Sequence, residues 1–212
     1  MLTQNYPEEN WNILDFRKNI PLEYWNIDEN IKQWAKSFEQ EHMIKNPSDW
    51  YRISRKQVSQ AKGQGILTNF GPTPNFLRHL YPHHDWNFDG KHNKHKRAAQ
   101  RRLFVHVKRL FPGEEVIEEF RHQELSRQSG ATVEFDVFLP SLSLAFEYHG
   151  QHHYEELAAW CGIEMQQYRD KEKLRLCKAA GIKLIVIPYW WDESKSALIE
   201  KLEQENVLHV KE

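Results

Sequence analysis

With 212 residues, a 13% aromatic fraction and a formal net charge of −1, the chain is long enough for one or two domains with a sizeable core and too aromatic for disorder. No basic patch leads into an apolar run at the N-terminus, and no apolar stretch approaches the ~20 residues that cross a bilayer, so neither a signal peptide nor a membrane partner is expected. Two cysteines, Cys161 and Cys177, lie 16 apart without C-x-x-C spacing, which sets aside a disulfide framework and points to a reducing, intracellular compartment.

The first ninety residues carry aromatic and large apolar residues on a polar background: Trp11, Phe16, Tyr24, Trp25, Ile31, Trp34 and Phe38. Ile31, Trp34, Ala35, Phe38 and His42 follow helical spacing. Ser48 is placed to cap a segment holding Trp50, Tyr51 and Ile53. A bend at Gly63-Gln64-Gly65 follows, then Pro72-Thr73-Pro74 restart a helix with Phe76, Leu77 and Leu80 that Tyr81-Pro82 ends. The expectation for 1–90 is a small helical domain with an aromatic core. Its use is either nucleic-acid contact through Lys45, Arg52, Arg55 and Lys56, or packing against a partner.

Gly90 marks a junction, and a second domain is expected over 91–212. Lys91 to Leu110 contains eight Lys or Arg and no acid. Leu103, Phe104, Val107, Leu110 and Phe111 recur at helical spacing, and Pro112-Gly113 stop the helix. Lys94, Lys96, Arg97, Arg101 and Arg102 then form a basic face. Such a face is a solvated surface, a phosphate-binding track or an import signal.

Strands are expected at Glu115–Arg121, Thr132–Leu139 and Leu144–His149, the last two joined by a turn at Pro140-Ser141. A helix over about Glu156–Ala180 stops at Gly181. Ile182–Pro188 is apolar enough for a buried central strand, and a final helix covers about Glu193–Glu205. The order α-β-β-β-α-β-α implies an α/β fold, a mixed sheet flanked by helices. Because side chains alternate along a strand, Asp136 is expected on the face opposite Phe135 and Val137, and Glu147 shares a face with His149. An Asp on one strand and a Glu-x-His on the next is an arrangement that can hold a metal ion and its attacking water. Charged residues alternating with apolar ones also suit a solvated sheet face.

Phe135-Asp136, ten residues, then Glu147-Tyr148-His149, followed by Gly150, His153-Tyr154, Asp170 with Lys173, and Gly181-Ile182 through Pro188, resemble the PD-(D/E)xK nuclease superfamily. Within it, the series is most similar to the branch holding very-short-patch repair endonucleases, over roughly residues 94–205. The N-terminal part resembles short helical modules found beside such nucleases. The resemblance implies a restriction-endonuclease-like core and a Mg²⁺- or Mn²⁺-dependent endonuclease acting on nucleic acid, taken as double-stranded DNA. Cutting both strands would suit a homodimer or two sequential nicks. Asp136 and Glu147 would bind the metal with the backbone carbonyl of Tyr148. His149 stands where the superfamily usually has Lys, and its near-neutral titration suits a base or a donor to phosphate. That departure also leaves a nuclease-fold protein that binds nucleic acid without cutting it.

Other residues fill the expected site. Glu118 and Glu119 point to opposite faces of the first strand, and Glu119 is taken as the one at the metal. Gln100 either faces the site, where some relatives carry Glu, or lies on the helix surface. Gln151 follows the tight Gly150 and is assigned to nucleic acid, and His153 to phosphate contact or ordering of the site. Asp170 and Lys173, one helical turn apart, read as a surface ion pair or as support for the site. Zinc is set aside because the twelve histidines lack paired cysteines at ligand spacing. No Walker loop, G-x-G-x-x-G or G-x-S-x-G motif occurs.

Overall fold

The computed structural model describes residues 20–88, 94–154 and 162–208, except the side chains of 94–96. Trp11, Phe16, Gly90, Cys161, the first turn of the helix expected from Glu156, and the side chains of Lys94 and Lys96 lie outside that description. The chain divides into two compact units, Met1–Lys94 and His95–Glu212. No helix among the described residues is long and apolar enough to cross a membrane.

The N-terminal unit holds helices α1 (Asp28–Glu41), α2 (Arg55–Val58), α3 (Gln64–Phe70) and α4 (Thr73–Leu80). In α1, Ile31, Trp34, Ala35 and Phe38 are buried at the spacing read from the sequence. Phe38 stacks on Trp34 at 4.9 Å and on Trp50 at 5.1 Å, and Phe76 meets both indoles edge-on. Stacked and edge-to-face rings of this kind add to the burial of apolar area. Glu39 accepts hydrogen bonds from Trp50 Nε1 at 3.0 Å and from the Tyr81 hydroxyl. Burial and that bond push the Tyr81 phenol up to about 12.

Two local details differ from expectation. The turn before Trp50 is organised by Asp49, whose carboxylate accepts the backbone N–H groups of Lys45 and Asn46, not by Ser48. A side chain three residues into a turn is the one within reach of the exposed amides at its start. Ser54 caps α2 instead, accepting from the Gln57 amide at 3.2 Å. Between α2 and α3 the chain kinks, with Lys62 at φ 64. Gly65 sits where a Cβ would lie 2.0 Å from Trp25, so only glycine lets the chain pass the indole.

The C-terminal unit runs α5 (Lys94–Leu110), β1 (Ile117–Ser126), β2 (Thr132–Leu139), β3 (Leu144–His149), α6 (Ile163–Ala179), β4 (Lys183–Pro188) and α7 (Lys195–Gln204). It is a mixed α/β unit. The sheet order is β1-β2-β3-β4, with β1–β2 and β2–β3 antiparallel and β3–β4 parallel. A parallel partner needs a crossover, and α6 supplies it. Ala99, Leu103, Val107, Leu198 and Leu202 of α5 and α7 cluster with Val137, Leu139, Leu144, Phe146, Ile185 and Ile187. Cys177 of α6 clusters with Val133, Phe135, Phe138, Ala145 and Ile182. Neighbouring residues of β3 fall in different clusters, so α5 and α7 cover one face and α6 the other.

Three expectations are corrected here. β4 is an edge strand and not a central one. Its apolar character comes from helices on both faces, with Ile185 and Ile187 buried. β1 runs on to Ser126, beyond Arg121, because its polar second half pairs around a hairpin closed by Arg127 and Ala131. Simple alternation fails at Asp136: Phe135 joins the α6 side and Val137 the α5 side. Opposite Asp136 in the β1–β2 register stands Glu119, at φ 53. A left-handed glutamate inside a strand is an uncommon backbone state, and a local twist there moves the pleat.

Candidate functional site

The β2–β3 ladder joins Val137–Leu139 to Leu144–Phe146. Next to it the Asp136 and Glu147 side chains are half-buried, and charges taken out of water need compensation. Asp136 obtains it from the α5 side, where Gln100 Nε2 donates to Oδ1 at 2.5 Å, and from β3, where the Tyr148 amide donates to Oδ2 at 2.6 Å. Glu147 obtains it from the α6 side: Lys173 Nζ lies 2.6 Å from Oε2. Lys173 is only 5% exposed, also donates to the Glu134 carbonyl, and sits 5.2 Å from the Phe135 ring centre. Charge-assisted bonds of this sort are about twice as strong as neutral ones.

Lys173 is the residue that sequence reasoning undervalued. It makes no surface pair with Asp170; each serves the sheet side separately. Asp170 Oδ2 lies 2.8 Å from His153 Nδ1, and Gln166 donates to Oδ1 at 2.9 Å. Burial raises the Asp170 carboxyl, but the His153 hydrogen bond, the charges of His153 and His149, and Gln166 outweigh it, leaving the group below its usual value. The His153 ring stacks on His149 at 3.9 Å with 15° between planes. Gln166, Asp170 and Lys173 recur at i, i+4 and i+7, a single helix face, and that spacing was the available signal.

His149, His153 and Asp170 have ligand atoms within 4.8 Å of one another. A metal approaches an imidazole in the plane of its ring, and two rings stacked nearly parallel aim their lone pairs side by side instead of at one point. This arrangement suits a hydrogen-bonded unit that fixes the His153 tautomer, with Nδ1–H toward Asp170 and Nε2 facing away. The oxygen donors suited to Mg²⁺ or Mn²⁺ are Asp136, Glu147 and the backbone beside Tyr148.

The remaining expected residues spread more widely. Glu119 is exposed, whereas Glu118 is half-buried and 2.6 Å from Arg101 Nη1. Arg101, expected on the phosphate-binding face, is 6% exposed and spends its charge on Glu118 inside the fold. Arg97 and Arg102 are half-buried, and Gln151 is exposed. The helix α5 is thus a core helix as well as a basic one, with Ala98, Ala99, Leu103, Val105 and Val107 buried. Cys177 is a buried free thiol whose proton is held more tightly by burial.

Part of the chain is similar to uncharacterized viral proteins. It is 35% identical over 78 residues to the uncharacterized protein 094L of Frog virus 3 (isolate Goorha), covering 34% of this chain and 50% of that one. It is 37% identical over 70 residues to the uncharacterized protein 033L of Invertebrate iridescent virus 3, covering 29% and 34%. It is 34% identical over 74 residues to the uncharacterized protein 307L of Invertebrate iridescent virus 6, covering 33% and 38%. The similarity therefore spans half or less of each relative. No family model matches the chain, and no solved structure matches it.

Proposed function

We propose that this protein is a metal-dependent nuclease with a restriction-endonuclease-like core, hydrolysing phosphodiester bonds in DNA. One observation carries the reading: a buried lysine from α6 meets the Glu147 carboxylate, and the amide of the next residue, Tyr148, donates to Asp136. The superfamily pattern wants a cation beside its second carboxylate, and His149 stands where the sequence would have placed it. Lys173 reaches the same carboxylate from a helix.

Asp136, Glu147 and the Tyr148 carbonyl would hold Mg²⁺ or Mn²⁺. Such an ion supplies charge neutralisation at phosphorus and a more acidic water. Gln100 and the Tyr148 amide fix the Asp136 carboxylate so that it needs no reorganisation. Lys173 holds Glu147 and adds positive charge where a phosphoryl group gains negative charge. Asp170 and Gln166 hold His153, and the stacked His149 shares that face with Glu147 as a proton donor or acceptor toward substrate.

The test is plasmid nicking with Mg²⁺, Mn²⁺ or EDTA, comparing the natural protein with Asp136→Ala, Glu147→Ala and Lys173→Met. Metal-dependent cutting that is lost in all three variants is expected. Absence of cutting by the natural protein with every metal would sink the reading. A second reading rests on His149 standing where the superfamily usually has Lys: a nuclease-fold protein that binds nucleic acid without cutting. Retained DNA binding with no cleavage would select it. Parallel RNA substrates separate the two nucleic acids.

A further inference from the structure

Helix α6 brings Gln166, Asp170 and Lys173 to the site, yet little apolar surface fixes it there. Its buried residues are Glu172, Lys173 and Cys177, and Leu174 is 54% exposed. Apolar contact is non-directional and leaves a helix free to slide. A slip of one residue is about 1.5 Å along the axis. That is enough to break the 2.6 Å contact of Lys173 with Glu147, since a hydrogen bond weakens beyond about 3.2 Å.

The tip of the β1–β2 hairpin supplies directional contacts instead. Arg127 Nη1 donates to the Arg169 carbonyl at 2.9 Å and lies 3.6 Å from Glu172 Oε2. The Gln128 amide donates to Glu172 Oε1 at 2.8 Å, and the Tyr168 hydroxyl donates to Gln128 Oε1 at 2.9 Å. Two consecutive hairpin residues thus grip Tyr168, Arg169 and Glu172, positions within little more than one helical turn. The grip is itself fixed. The Arg127 amide donates to the Ala131 carbonyl at 2.8 Å, the Gly130 amide donates to the Arg127 carbonyl at 2.9 Å, and Gly130 takes the φ of 81 that the tight tip requires. Glu172 is 8% exposed, so the hairpin donors stand in for the water its carboxylate has lost.

We infer that Arg127 and Glu172 are positioning residues: the hairpin tip sets the register of α6 and so holds Lys173 against Glu147. Glu172 and Lys173 are chain neighbours, both buried, and successive helical side chains diverge by about 100°. One carboxylate therefore meets the hairpin while the next residue's ammonium meets the sheet. The second acceptor of that ammonium, the Glu134 carbonyl, lies on β2, the strand that leaves the hairpin. The contacts close a ring, from Arg127 to Glu172, from Lys173 to Glu134, and along β2 back to the tip. Loosening the tip lets α6 shift, and Lys173 then leaves the carboxylate. The effect on cutting rests on the nuclease reading, in which a cation displaced by about 1 Å costs on the order of 100-fold in rate. The hold on Lys173 does not depend on that reading.

The test is a double-mutant cycle on the full chain, with Arg127→Ala, Lys173→Met and the two combined. Melting in EDTA is followed by circular dichroism. Arg127→Ala should lower Tm by about 5–10 °C in the natural background. Beside Lys173→Met the fall should be less than half as large, because the pair it places is already gone. Arg127→Lys keeps the charge and should recover most of the loss. Calorimetric titration with Mn²⁺ adds a readout that a plain packing contact would not move. Lys173 competes with the ion for Glu147, so Arg127→Ala should bind Mn²⁺ about 2- to 10-fold more tightly, and should change nothing further beside Lys173→Met. Equal Tm losses in the two backgrounds overturn the inference, and so does Mn²⁺ affinity that Arg127→Ala leaves unchanged. If Arg127→Ala does not fold, Tyr168→Phe, which removes one exposed bond of the grip, enters the same cycle under the same criteria. If the natural protein neither binds Mn²⁺ nor cuts, the nuclease reading fails and the melts alone decide the role of the hairpin.

Discussion

Lys173→Met removes a buried cation and leaves its partner behind. The pair is 2.6 Å long, with side chains 6% and 16% exposed, and the ammonium also serves the Glu134 carbonyl. Breaking a buried pair by deleting one member costs ~3–5 kcal/mol, because the other charge stays desolvated. Glu147 keeps some contact with water, so the lower end, about 3 kcal/mol, applies. For a unit of this size that is a fall in Tm of about 10 °C. Thermal melts by circular dichroism in EDTA read it. Glu147→Gln on top of Lys173→Met should recover most of the loss, since no stranded charge remains. Added Mn²⁺ should raise the Tm of Lys173→Met more than that of the natural protein, because an ion that binds only the folded carboxylates replaces the missing charge. A Lys173→Met protein that melts with the natural one in EDTA would refute the claim that this lysine neutralises the site.

Arg101→Ala removes the 2.6 Å charge-assisted bond to Glu118 and should cost about 1.5–3 kcal/mol in urea unfolding, whereas Arg97→Ala, whose side chain is half-buried, should cost under about 1 kcal/mol. Gly65→Ala drives a methyl into Trp25 and should destabilise the N-terminal unit by at least ~1–3 kcal/mol. Gly71→Ala meets no atom within 4 Å, but φ 71 with ψ −118 is a backbone state that suits glycine, so it should cost about 1–3 kcal/mol. The Asp170 carboxyl lies below its usual 3.8 in the folded chain. Its contribution is therefore complete above that usual value and disappears as pH falls through the lower folded one. Asp170→Asn should flatten the acid side of a Tm-against-pH curve and leave its neutral side lower, and an unchanged acid limb would count against the His153–Asp170 link.

The strands that carry the carboxylates were legible because they are short, strongly alternating and punctuated. Thr132 to Leu139 and Leu144 to His149 form strands at the bounds read from the sequence, with Pro140 and a left-handed Ser143 between them. What escaped was the side each residue faces once the pleat shifts. A period of two cannot announce the φ of 53 at Glu119 that accompanies the break at Asp136. Lys173 escaped for a related reason. Apolar periodicity finds the buried face of a helix, but α6 buries Glu172 and Lys173 beside Cys177 and leaves Leu174 54% exposed. Its inward face is partly charged, so the usual pattern points the wrong way. Arg101 was read as a surface cation because its partner, Glu118, lies on another element seventeen residues on.

The indoles of the N-terminal unit also set what light can report. Trp25, Trp34 and Trp50 are each 1–2% exposed, while Trp190 is open to water and Trp191 partly so. Among the described indoles, blue-shifted emission will arise chiefly from the helical half, and its red shift on heating will track the loss of that half's ring-stacked interior. Far-ultraviolet ellipticity registers strands and helices of both halves. Recording the two signals in one cuvette thus separates the melting of the first ninety-four residues from that of the sheet-bearing remainder, without cutting the chain.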